Sequence, residues 1–88
     1  MTFYKLLFQK SAKKFMLKNK KEGLKFYQAF LEIAEDRQNF SKYDIKILRG
    51  YKNSYRLRIG KNRALFKIVN EKIVIIVIDI GSRGDIYK

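Results

Sequence analysis

Tyr55-Arg56-Leu57-Arg58-Ile59-Gly60-Lys61-Asn62-Arg63-Ala64-Leu65-Phe66-Lys67-Ile68-Val69 reads as two extended segments joined at a Gly-Lys pair. In the first segment Tyr55, Leu57 and Ile59 alternate with Arg56 and Arg58, the period-two pattern of a strand with one apolar face. Gly60-Lys61 suits a two-residue hairpin turn with glycine at its first central position. Such a turn fixes a register: Ile59 opposite Asn62, Arg58 opposite Arg63, Leu57 opposite Ala64, Arg56 opposite Leu65. Opposed residues share a face. Ala64, Phe66 and Ile68 therefore join Tyr55, Leu57 and Ile59 on one side, and Arg56, Arg58, Arg63 and Lys67 gather on the other, with no carboxylate among them.

Working outward, the strand pattern continues on both sides. Ile45–Leu48 is a strand candidate ended by Gly50, and Asn70-Glu71 reads as a turn into a strand over Lys72–Ile80. That turn places Val74 and Ile76 beside Lys67 and Leu65. Ile73–Ile78 is apolar on both faces, as in a central strand. Toward the N-terminus, Thr2–Phe8 is a further strand candidate. Ser11 is the predicted N-cap of a helix running to about Asn19. After the polar link Lys18–Lys21, a second helix is expected over Glu22–Gln38, with Leu24, Tyr27, Leu31 and Ala34 at helical spacing and Phe26, Phe30 and Ile33 on an adjoining stripe. Core packing is the reading for this apolar surface. The predicted fold is α+β, a single domain over residues 1–88: two antiparallel N-terminal helices on one face of a small, mostly antiparallel sheet.

The chain holds 21 Lys and Arg against 8 Asp and Glu, a net charge of +13, and 47% hydrophobic residues. Thirteen aromatic residues, seven Phe and six Tyr, are enough to fill a modest core. The positive charge is spread along the chain rather than confined to a tail, so the folded body is basic. Such a surface attracts polyanions: nucleic acid, an anionic membrane or an acidic protein. Like charges directly opposed in a sheet oppose folding by up to about 1 kcal/mol. Placing Arg58 against Arg63 is thus expected where an anion binds, and the arginine fork suits phosphate oxygens.

With no Cys and no His, thiol chemistry is absent and a metal cofactor is not expected. The opening MTFYKLLFQK lacks a signal-peptide apolar run, and Ile73–Ile78 is too short to cross a bilayer. A cytoplasmic protein with no membrane partner is expected.

Ile47-Leu48-Arg49-Gly50, Tyr55-Arg56-Leu57-Arg58-Ile59-Gly60, Arg63-Ala64-Leu65-Phe66, Gly81-Ser82-Arg83 and Ile86-Tyr87 together resemble the RelE/ParE toxin pattern. The resemblance implies two helices against a small antiparallel sheet, the toxin of a toxin–antitoxin system. In its RelE branch it implies a ribosome-dependent endoribonuclease cutting mRNA in the A site without a metal or small-molecule cofactor. It also implies an acidic cognate antitoxin that blocks the site. Arg56 and Arg58 match the family's basic strand positions, Arg63 the basic residue after the turn, Arg83 the late arginine and Tyr87 the terminal tyrosine. Two positions depart from the pattern. Asn62 stands where many relatives have an aromatic residue, and Ser82 where many have His, which removes the imidazole acid or base.

Cleavage by the RNA's own 2′-hydroxyl would then run on Arg, Lys and Tyr. Arginine does not lose its proton in proteins, so it is no base. Tyr87 serves as base, if nearby positive charge lowers its pKa from about 10, or as the group that orients the nucleophile. Arg63 and Arg83 would stabilise the phosphorane. Arg56, Arg58, Lys61 and Lys67 would hold the RNA backbone, and Arg83 is the candidate for protonating the leaving oxygen. The alternatives are a ParE-like gyrase inhibitor, a non-catalytic RNA- or ribosome-binding module, and an inactivated toxin remnant.

Overall fold

The computed structural model describes residues 3–82. Strand β1 (Lys5–Phe8) leads into helix α1 (Lys10–Lys18) and helix α2 (Lys20–Glu35), followed by a 3-10 helix over Arg37–Lys42. Strands β2 (Asp44–Ile47), β3 (Ser54–Ile59), β4 (Asn62–Val69) and β5 (Val74–Ser82) complete one five-stranded sheet in the order β1-β5-β4-β3-β2. β1 pairs parallel with β5, and every other neighbour is antiparallel. β5 is therefore interior, which explains why Ile73–Ile78 is apolar on both faces.

The β3–β4 hairpin has the register that the Gly60-Lys61 turn predicts, with Arg58 opposite Arg63 and Leu57 opposite Ala64. Gly60 has φ 62°, which a residue with a Cβ adopts only with strain.

The β4–β5 connection differs from its prediction. Asn70–Lys72 forms a 3-10 turn and Ile73 follows with φ 54°, so two further residues enter the link. Val69 now faces Val74, and Lys67 faces Ile76. A slip of two residues leaves every side chain on its predicted face, because the strand period is two. Farther on, Phe66 pairs with Val77 but Leu65 with Asp79. This β-bulge reverses the alternation of β5, so that Val77 and Ile80 are both buried with the helices and Asp79 turns to the other face.

The helices also depart in detail. Gln9, not Ser11, is the N-cap of α1, and it makes no side-chain cap bond. The Gln9 N–H donates to the Val77 carbonyl at 2.9 Å, so sheet pairing holds this residue extended and the helix starts immediately after it. The predicted link Lys18–Lys21 shrinks to Asn19, whose N–H donates to the Phe15 carbonyl at 2.8 Å. α2 ends at Glu35 rather than Gln38, because Asp36 becomes extended and its Oδ1 accepts from the Gln38 N–H at 2.9 Å.

The core combines Phe26, Ala29, Phe30 and Ile33 of α2 with Leu57, Ala64, Phe66, Ile68, Ile75 and Val77 of the sheet. Phe30 meets Phe66 edge-on with ring centroids 5.1 Å apart, and Tyr55 stacks on Phe66 at 5.5 Å. The Phe26/Phe30/Ile33 stripe is thus the core face. Leu24 is 63% exposed, and Tyr27 and Leu31 are each 42% exposed, contrary to their expected burial. A band this wide cannot all face one sheet, and the bulkier aromatic stripe is the one turned inward.

Candidate nucleic-acid interface

The face of the sheet turned away from the helices carries the predicted basic residues. One row across β2, β3, β4 and β5 reads Asp44, Arg58, Arg63, Gly81, and the next reads Lys46, Arg56, Leu65, Asp79. Lys67 follows, exposed, opposite Ile76. Arg63 is half-buried. Lys61 lies in the hairpin turn and borders a groove that it shares with Lys14 and Lys18 of α1 and with Asp79. The strand register therefore brings Arg56, Arg58, Arg63 and Lys67 to one face. Arg83 and Tyr87 lie outside the described residues.

Asp44 corrects one part of the sequence reading. It sits on β2 directly opposite Arg58, so the basic face does contain a carboxylate. Its Oδ1 accepts from Arg56 Nη2 at 2.9 Å, and its Oδ2 lies 3.9 Å from Arg58 Nε. The Arg56 side chain is only 10% exposed, whereas that of Arg58 is 51% exposed. Among the described residues, Arg56 Nε has no hydrogen-bond partner. The two arginines that sequence treats alike occupy different environments. The sequence does not signal this pairing: Asp44 precedes the β-prone run that starts at Ile45, and no turn motif fixes a β2–β3 register.

Beyond Arg58, a second groove is bordered by Lys25, Glu32, Lys42, Tyr43 and Asp44. The Tyr43 hydroxyl donates to Glu32 Oε1 at 2.9 Å. Burial, and then this bond to Glu32, push the Tyr43 phenol above the usual tyrosine value. Tyr43 is therefore held protonated and is unsuited to act as a base. Among the described residues no three Asp or Glu gather as a metal site, and no helix is long and apolar enough to cross a membrane.

No family model matches the chain, and no curated protein matches it in sequence. Solved structures do. RelE in the RelE–RelB complex of Pyrococcus horikoshii superposes with a TM-score of 0.78 at 23% identity, covering 97% of this chain and 99% of that one. The RelB–RelE antitoxin–toxin complex of Methanococcus jannaschii gives 0.73 at 28% identity, over 92% and 94% of the two chains. The chain has the fold of the RelE toxins. The intact RelBE toxin–antitoxin complex of E. coli agrees in fold, with a TM-score of 0.72 at 23% identity over 90% and 95%. This RelE-like chain matches those structures along nearly its whole length, including the helical half that the sequence motifs left generic.

Proposed function

We propose that this RelE-like chain is a toxin, an endoribonuclease that cleaves translated mRNA in the ribosomal A site without a metal, and that an acidic cognate antitoxin restrains it. The observation that carries the reading is the convergence of Arg58, Arg63 and Lys67 on the helix-free face of a RelE-type sheet. Cations gathered on one face draw in a phosphodiester backbone, and arginine grips its oxygens in pairs. The RNA's 2′-hydroxyl attacks the adjacent phosphorus, and the bond to the leaving 5′-oxygen breaks. Tyr87 accepts the 2′-proton, Arg63 and Arg83 stabilise the added charge on the phosphorane, and the leaving 5′-oxygen takes its proton from solvent while Arg83 hydrogen-bonds to it. Arg58, Lys61 and Lys67 position the backbone, and Arg56, which is buried, supports them from within the sheet.

The antitoxin reading rests on the +13 charge, on the neighbouring complexes that contain RelB, and on apolar surface. Val74 and Ile76 form a half-buried strip beside Lys67, and exposed Leu24, Tyr27 and Leu31 line α2. An acidic, partly apolar segment suits both surfaces. Tyr87→Phe should keep ribosome binding and lose cleavage by roughly a hundredfold, the scale of a removed general base. Unchanged cleavage by this variant removes Tyr87 from the mechanism.

A further inference from the structure

Asp44 touches two arginines of the basic face, and its contacts separate Arg56 from Arg58. The Arg56 guanidinium is buried and committed through Nη2 to Asp44 Oδ1 at 2.9 Å. Turning it toward a phosphate would break a short charge-assisted bond. Arg58 is half exposed, and its Nε lies 3.9 Å from Asp44 Oδ2, beyond hydrogen-bond reach. That distance leaves the Arg58 fork available to an incoming anion while the carboxylate still attracts it.

We propose that Asp44 is a positioning residue for the RNA site: it anchors Arg56 as a buried strut and aims Arg58, so that Arg58 rather than Arg56 is the β3 arginine that contacts RNA. This inference rests on the RNA-cleaving reading. Asp44 has two opposed effects. Its negative charge repels the RNA backbone and competes for Arg58, which weakens binding. Its placement of Arg58 favours the geometry in which cleavage occurs, which raises turnover. Removing the charge therefore tightens binding while slowing the chemical step. A purely structural role for Asp44 would not produce that split.

The test uses the full chain with Asp44→Asn, Arg58→Ala, Arg56→Ala and, as a distant charge control, Glu71→Gln. Affinity is measured by fluorescence anisotropy on a single-stranded 2′-O-methyl RNA oligonucleotide, and turnover by single-turnover cleavage on programmed ribosomes. Asp44→Asn should bind the oligonucleotide roughly threefold to tenfold more tightly than the parent, beyond the gain of Glu71→Gln, since a unit charge acts strongly only within about a Debye length. Its maximal cleavage rate should fall about tenfold, the scale of a misplaced positioning group. Arg58→Ala should weaken oligonucleotide binding about tenfold through loss of a charge-assisted contact, and folded Arg56→Ala by less than about twofold. Asp44→Asn and Arg58→Ala alter half-exposed side chains, so they decide the matter even where Arg56→Ala does not fold. An Asp44→Asn protein indistinguishable from Glu71→Gln in both assays overturns the inference while the RNA-cleaving reading stands. A parent protein that neither binds nor cleaves RNA overturns both.

Discussion

Arg58 and Arg63 stand directly opposite each other on β3 and β4. Opposed like charges disfavour the sheet by up to about 1 kcal/mol, and exposed ion pairs return little. The 3.9 Å approach of Asp44 to half-exposed Arg58 offsets only part of that repulsion. Arg58→Thr should therefore leave stability within about 0.5 kcal/mol of the parent in urea unfolding, since a β-branched residue suits the strand. Arg56→Ala should cost about 2 kcal/mol, because it removes packing and unpairs Asp44. A reversed ranking would place the structural role on Arg58.

Gly23 and Met16 meet where the two helices pack together. A Cβ built on Gly23 would lie 2.8 Å from the Met16 Cα, a backbone atom that cannot swing aside. Alanine is the better helix former by about 1 kcal/mol. The steric cost wins: Gly23→Ala should destabilise by about 1–3 kcal/mol, as overpacking does. Thermal unfolding checks the sign, and a raised midpoint would show that α1 and α2 shift apart freely.

Tyr43 gives the fold an alkaline dependence. Its phenol pKa is raised by burial and by the bond to Glu32. A raised folded pKa contributes stability fully below the unfolded value of about 10 and loses it as pH rises through the higher folded value. Tyr43→Phe lacks both the bond and the titration. At pH 8 it should be less stable by about 1 kcal/mol, the usual net worth of such a hydrogen bond. The difference from the parent should shrink above a pH of about 10. A gap that stays constant through that range would show that Tyr43 does not titrate as the structure implies.

Much of the sheet was legible because Gly60-Lys61 ties a register to two visible residues. From that turn, the placing of Arg56, Arg58, Arg63 and Lys67 on one face followed by arithmetic. Asn70-Glu71 gave no such handle, since a turn ending on a left-handed Ile73 has no compositional signature. The bulge near Asp79 was invisible for a related reason: the apolar run Val74–Ile78 that leads into it offers no alternation to break. In α2, apolar residues cover more than half of the helix circumference, and packing against Phe66 selects Phe30 over Leu31. For the site, sequence supplied the cations but not their inequality, because the Asp44 carboxylate reaches Arg56 diagonally across β2 and β3.

The central claim is that this chain cuts mRNA on the ribosome. The most direct measurement adds the purified protein to a bacterial cell-free translation reaction and maps mRNA 5′ ends, beside Arg63→Ala, Arg83→Ala and Tyr87→Phe proteins. The account predicts new ends inside translated codons, absent on naked mRNA and reduced roughly a hundredfold or more by each variant, the scale of a lost oxyanion donor or base. Intact mRNA under the same conditions, from a protein shown to be folded, would contradict it.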